Sequence, residues 1–285
     1  MLLAVAAAIW CVMPFIGPAN TSSDDHQQSD AWDARVAKLD SLDAVQQALP
    51  SFTVDTGHPR RDTALAITDI VQRHFVHGVA RQSWRMNWIA TVIDRFAPDT
   101  MSFSGVMDPD ELLTQNVAFC SQATLVMRAL FERNGIPYAT VSFDEGGRAI
   151  HSALAGAPDG VWRLYDPSME PVVQGMAFRR VLTGDTVRAL YSRPDIAANG
   201  RQFQKLAWQG KLTLTGINGG PLRRGPGVQW LTRTLSNWGW VALLLLAVSH
   251  VRRTRWTGIA LALRGRVRSG RRRWAMPGKG LRFPA

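Results

Sequence analysis

From Cys120 to Ser168 the chain reads CSQATLVMRALFERNGIPYATVSFDEGGRAIHSALAGAPDGVWRLYDPS. After Cys120, the apolar residues Ala123, Val126, Met127, Leu130 and Phe131 recur at helical spacing, which predicts one helix face packed on a core. Asn134-Gly135 supplies a left-handed C-terminal cap, and Pro137 prevents continuation. Cys120 therefore sits at or within the first turn. The unpaired N–H groups and the positive end of the helix dipole at that place favour a thiolate over a thiol, and the same groups could receive an oxyanion.

Tyr138 to Phe143 predicts a strand and Asp144 to Arg148 a turn. The run AIHSALAG then meets VWRLYDPS across Ala157-Pro158-Asp159-Gly160, a hairpin signal. A hairpin symmetric about the Pro158–Asp159 bond sets His151 directly opposite Asp166 on one face, with Cβ atoms about 5 Å apart. Ala153, Ala155, Leu164 and Trp162 share that face, which is expected to pack on the Cys120 helix. A carboxylate beside the imidazole fixes its tautomer and stabilises the imidazolium. A glycine bulge at Gly160 shifts this register by one and turns Asp166 to the other face.

Only two cysteines exist, and Cys11 lies in an apolar N-terminal stretch, so Cys120 has no disulfide partner in its own domain. A lone cysteine is otherwise a small buried hydrophobe. The order of a Cys at a helix start, a His on the next hairpin strand and an Asp in a Trp-x-x-x-Asp-Pro segment resembles the transglutaminase-like superfamily. The matching residues are Cys120, Gly135-Ile136-Pro137, His151, Trp162 and Asp166-Pro167, within about Asp108 to Pro171. The resemblance implies a papain-like α+β core with Cys120 as nucleophile, His151 as general base and Asp166 as the orienting group. The family often has Gly two before the Cys and an aromatic two after the His, where this chain has Ala118 and Ala153. Transglutaminases, peptidases and amidases belong to it, and so do members that have lost activity. Gln115, or Gln122 two residues into the helix, is a candidate donor to an oxyanion, with Trp162 as a supporting residue. An ordinary polar turn residue is the other reading of Gln115.

The net charge of +11 is not spread along the chain. From Arg252 to the end there are eleven basic residues and no acid, and everything before balances 22 basic against 22 acidic residues. Immediately before this tail, Val228 to Val251 carries Arg233 as its only full charge. At about 1.5 Å per residue it reaches roughly 36 Å, enough for a hydrocarbon core of about 30 Å. It is expected to be a transmembrane helix with Trp230, Trp238 and Trp240 in an interfacial belt, the other reading being a buried core helix. Leu2 to Gly17 is a short anchor or a signal segment with cleavage after Ala19. Both ends place residues from about 20 to 227 outside the cytoplasm and the tail inside. The tail's charge suits anionic lipid, and no nucleic acid is expected.

Further helices are expected over Ala31–Leu49, Thr63–Val76, Ser83–Phe96, Asp108–Glu111 and Phe178–Tyr191, the first three packing on the catalytic core, and a strand over Lys211–Ile217. His74 and His77 lack a third ligand with suitable spacing and read as helix-surface histidines; no metal and no cofactor is expected. The domains expected are 1–19 as signal or anchor, 20–217 as the α+β domain, 218–227 as a Gly/Pro-rich tether, 228–251 as the membrane helix and 252–285 as the Arg-rich tail. The function expected is cysteine-dependent acyl transfer or amide hydrolysis at a bacterial inner membrane, on a peptide, protein or glycan-linked amide. The alternative is a silent domain that binds a peptide or glycan within an envelope or polysaccharide-export assembly.

Overall fold

The computed structural model describes residues 2–16, 31–96, 104–169, 173–181, 185–194, 196–219 and 225–272. In chain order these form α1 (Leu2–Ile16), α2 (Leu42–Ala48), α3 (Pro59–His74), β1 (Val76–His77), α4 (Trp84–Phe96), α5 (Pro109–Leu113), β2 (Val117–Ala118), α6 (Cys120–Arg133), β3 (Tyr138–Glu145) and β4 (Arg148–Gly156). Then follow β5 (Arg163–Tyr165), β6 (Met176–Ala177), α7 (Phe178–Val181), α8 (Asp185–Leu190), α9 (Ala197–Trp208), β7 (Leu212–Leu214) and α10 (Gly225–Arg272). The fold is α+β: an antiparallel sheet in the order β6-β5-β4-β3-β7, with helices on both faces.

α6 fills one side of the sheet. Val126, Met127, Leu130 and Phe131 are all fully buried, each contributing about 1.5–3 kcal/mol. The helix stops at Asn134, whose N–H bonds to Leu130 O, and at Gly135, which takes φ +62°. Gly156 lets α6 approach β4, because a Cβ there would meet the Phe131 ring at 2.5 Å. Leu154, Tyr138 and Tyr165 complete this core with α3 and α5.

The other face carries Val141, Phe143, Ala153, Ala155 and Leu164 and is covered by α8 and α9 through Val187, Leu190, Tyr191, Phe203 and Leu206. The face that includes Ala153 and Ala155 thus packs on these late helices and not, as the hairpin alone suggested, on α6. The expected helix over Ala31–Leu49 shrinks to α2, because Ser41 caps a new start by accepting the Ala44 N–H. Phe178–Tyr191 divides into α7 and α8, and the strand expected over Lys211–Ile217 narrows to β7.

α4 corrects a further expectation. It lies against α1 and α10, not on the core of the α+β domain. Asn87, with φ −156° inside α4, kinks the helix and gives its amide to Thr232 Oγ1 on α10 at 2.8 Å. Ser236 Oγ donates to Asn87 Oδ1, and Gln229 Nε2 donates to Gly105 O. Trp10 Nε1 donates to Leu235 O at 2.9 Å, Trp84 Nε1 to Met13 O at 2.7 Å, and a Cβ on Gly239 would stand 2.8 Å from the Trp10 ring. α10 is one continuous helix whose stretch Pro226–Arg253 is long and apolar enough to cross a membrane. Most of that stretch is not buried within the protein, unlike a buried core helix. Gly225–Gly227, expected in the tether, form its first turn, while 220–224, 273–285 and the site after Ala19 lie outside the described residues.

Candidate active site

Cys120 is the first residue of α6. Thr124 Oγ1 donates to Cys120 O at 2.8 Å and approaches Ser152 O at 3.3 Å, tying this first turn to β4 beside His151. Asp166 follows β5 directly, in the Asp-Pro-Ser turn. Tyr165 pairs with Leu154 and Leu164 with Ala155, so Asp166 stands level with Ala153 and diagonal to His151. The register differs by two residues from the symmetric hairpin, because the connection runs from Ala157 to Trp162, with Gly160 at φ +79°. A slip of two keeps the face, so Asp166 still meets the imidazole.

The contact is short: His151 Nε2 lies 2.6 Å from Asp166 Oδ2, and both side chains are fully buried. Oδ2 also accepts from Tyr191 OH at 2.7 Å. Oδ1 accepts from Ser168 N, Ser168 Oγ and Met169 N at 3.1–3.2 Å. Five donors thus compensate one buried carboxylate. Gln174 fixes the backbone by accepting from Asp166 N and donating to Asp166 O.

Burial alone would neutralise both partners, but their mutual attraction prevails. Against the desolvation of the ring, the Asp166 charge and hydrogen bond, joined by Cys120, push the His151 pKa up to about 10. Against the desolvation of the carboxyl, the His151 charge and the bonds from His151, Tyr191 and Ser168 hold Asp166 below its usual range. An ionised Asp166 can only accept, so His151 Nε2 carries the hydrogen. The other ring nitrogen, Nδ1, is buried and has no hydrogen-bond partner of good geometry, although Cys120 is close enough to raise the ring's proton affinity. The imidazole stacks on Phe203 of α9, with centroids 4.9 Å apart and planes at 17°, which suits a positively charged ring.

Cys120 is 3% exposed and the His151–Asp166 pair is sealed by Phe203 and Tyr191. A cavity of about 260 Å³ lined by Gln46, Leu49, Pro50, Thr53, Thr63 and Asn134 opens at the opposite end of α6. Fourteen residues of helix, roughly 20 Å at 1.5 Å per residue, separate it from Cys120, so it is no part of this site.

The supporting residues are rearranged. Gln122 Oε1 accepts from Ala80 N and Phe119 N, and its Nε2 donates to Ala80 O and Val106 O, so its amide clamps three backbone segments together. Gln115 lies before β2, and the three extended steps from Val117 to Cys120 alone carry the chain about 10 Å onward. Trp162 packs in the apolar layer beneath α8 and α9. His74 is not on the helix surface: it is fully buried, its ring bridging Val36 O and Leu113 O. His77 is half-buried beside Phe119. Tyr191, Phe203 and Gln174 were not legible as site residues, since each joins the site from a later segment with no fixed spacing to the hairpin.

No protein-family model, curated protein or solved structure matches the chain.

Proposed function

We propose that the protein is a membrane-anchored, transglutaminase-like enzyme that attacks an amide or related acyl group with Cys120. The observation that carries this reading is the buried His151–Asp166 pair, whose free Nδ1 adjoins a cysteine at the start of a helix. In the proposed cycle the Cys120 sulfur bonds to the acyl carbon while His151, held doubly protonated by Asp166, stabilises the charge. The C–N bond then breaks and Nδ1 gives its proton to the departing amine. Water, or a second amine, attacks the thioester and returns a proton to Nδ1, releasing the sulfur. Asp166 stays ionised throughout. The closed site requires α8 and α9 to give way for substrate, and water exclusion strengthens each electrostatic contact meanwhile.

The α1–α4–α10 packing suits membrane attachment, and the Arg-rich tail suits an orientation with the α+β domain outside the cytoplasm and that end inside. α1 donates an indole hydrogen bond from Trp10 to α10 and accepts one at Met13 O from Trp84 of α4, so it acts as a retained second anchor in this reading. Buried polar groups on α10, α4 and the 104–107 segment satisfy one another, which suits a domain seated on the lipid surface. The burial of Cys120 favours a second reading, a silent domain that binds a peptide or glycan in an envelope assembly. Incubation with an activated acyl ester separates the two: the enzyme acquires an acyl group on Cys120 and turns over, and the silent domain does neither.

A further inference from the structure

β1 and β2 pair in parallel, Val76 with Val117 and His77 with Ala118. This places His77 beside the last two residues before the nucleophile. Its ring centroid lies 5.4 Å from that of Phe119, which is 38% exposed and marks the edge of the site nearest solvent. Burial, and then the positive charge on nearby His151, lower the proton affinity of His77 and hold it neutral. Among the described residues no protein group hydrogen-bonds to its ring nitrogens. The N–H groups of Cys120 and Ser121 likewise have no protein acceptor among these residues, because they open α6. His151 Nδ1, fully buried and without a hydrogen-bond partner of good geometry, lies close to Cys120, and its ring charge also acts on His77.

We propose that His77 is the side-chain donor of an oxyanion site, acting together with the Cys120 and Ser121 N–H groups. The role rests on the acyl-transfer reading and deepens it. An oxyanion needs donors that are preorganised and not already committed. Gln122 is engaged by four backbone groups, whereas His77 is paired beside Ala118 and packs on Phe119, the residue that precedes Cys120. A neutral imidazole donates a hydrogen bond without setting a second positive charge beside His151.

The test compares two reactions of Cys120 in the full-length protein in detergent. With p-nitrophenyl acetate the sulfur bonds to the carbonyl carbon, the carbonyl pair moves to oxygen, and collapse expels p-nitrophenolate. With iodoacetamide the sulfur displaces iodide and no oxyanion forms. His77→Phe, which keeps the ring contact with Phe119, should slow acylation by about 10²–10³-fold and leave alkylation unchanged. His77→Gln, which restores a neutral donor, should recover most of the acylation rate. Unchanged acylation in His77→Phe, or equal loss in both reactions, overturns the role. Wild-type protein that is alkylated on Cys120 and never acylated instead defeats the acyl-transfer reading, and the role of His77 falls with it.

Discussion

Asp166 Oδ2 lies 2.6 Å from His151 Nε2, although the two residues are diagonal and not opposite across β4 and β5. That contact fixes which nitrogen is left for Cys120, and so divides the roles. Cys120→Ala and His151→Ala should each abolish turnover. Asp166→Asn should retain activity lowered by up to about 10⁴-fold, since it changes the tautomer but keeps the shape. Steady-state rates checked against circular dichroism decide it; Asp166→Asn at wild-type rate would remove Asp166 from the mechanism.

The pair also sets a pH dependence of stability. His151 is raised from about 6.5 to about 10, so its contribution is complete below about pH 6.5 and is lost as pH rises toward 10. Asp166 is lowered, so its contribution is present above about pH 4 and is lost as pH falls through the folded value. Urea unfolding of wild type and His151→Gln should therefore differ most between about pH 4 and 6.5 and converge toward pH 10. A difference that grows above pH 7 would mean the ring is held neutral.

Tyr191, directly after α8, and Phe203 of α9 close the site. Tyr191→Phe removes one donor to a buried carboxylate and should cost about 1.5–3 kcal/mol in unfolding free energy. Phe203→Ala should cost about 3–5 kcal/mol and also accelerate alkylation of Cys120 under native conditions. Slower or unchanged alkylation would show that α9 does not guard the thiol.

Membrane attachment is tested at both ends. A periplasmic reporter fused after Gly210 should be active and one fused after Ala285 inactive; activity at both removes the crossing by α10. Gly239→Leu should loosen α1 from α10, because even a Cβ there meets Trp10 at 2.8 Å. N-terminal sequencing of mature protein should find α1 intact, and a start after Ala19 would make it a signal segment.

The Cys120 helix was legible in the sequence because its apolar spacing, its cap and Pro137 act locally. The His151–Asp166 pairing was legible as a face but not as a register, because alternation has a period of two and the loop length decides the slip. The sealing helices were not legible. Tyr191 and Phe203 reach the imidazole through tertiary packing, and His74 became a buried bridge through carbonyls from two distant segments. The docking of α4 on α10 was hidden too, since Asn87, Thr232 and Ser236 look like ordinary polar residues until they meet.

The most direct measurement is the mass of the intact protein, followed by peptide mapping, after brief exposure to p-nitrophenyl acetate under native conditions. Wild type should carry one acetyl group on Cys120 that disappears with time as water attacks, and His151→Ala should carry none. No acetyl group on native wild-type Cys120, with modification appearing only after denaturation, would contradict the account.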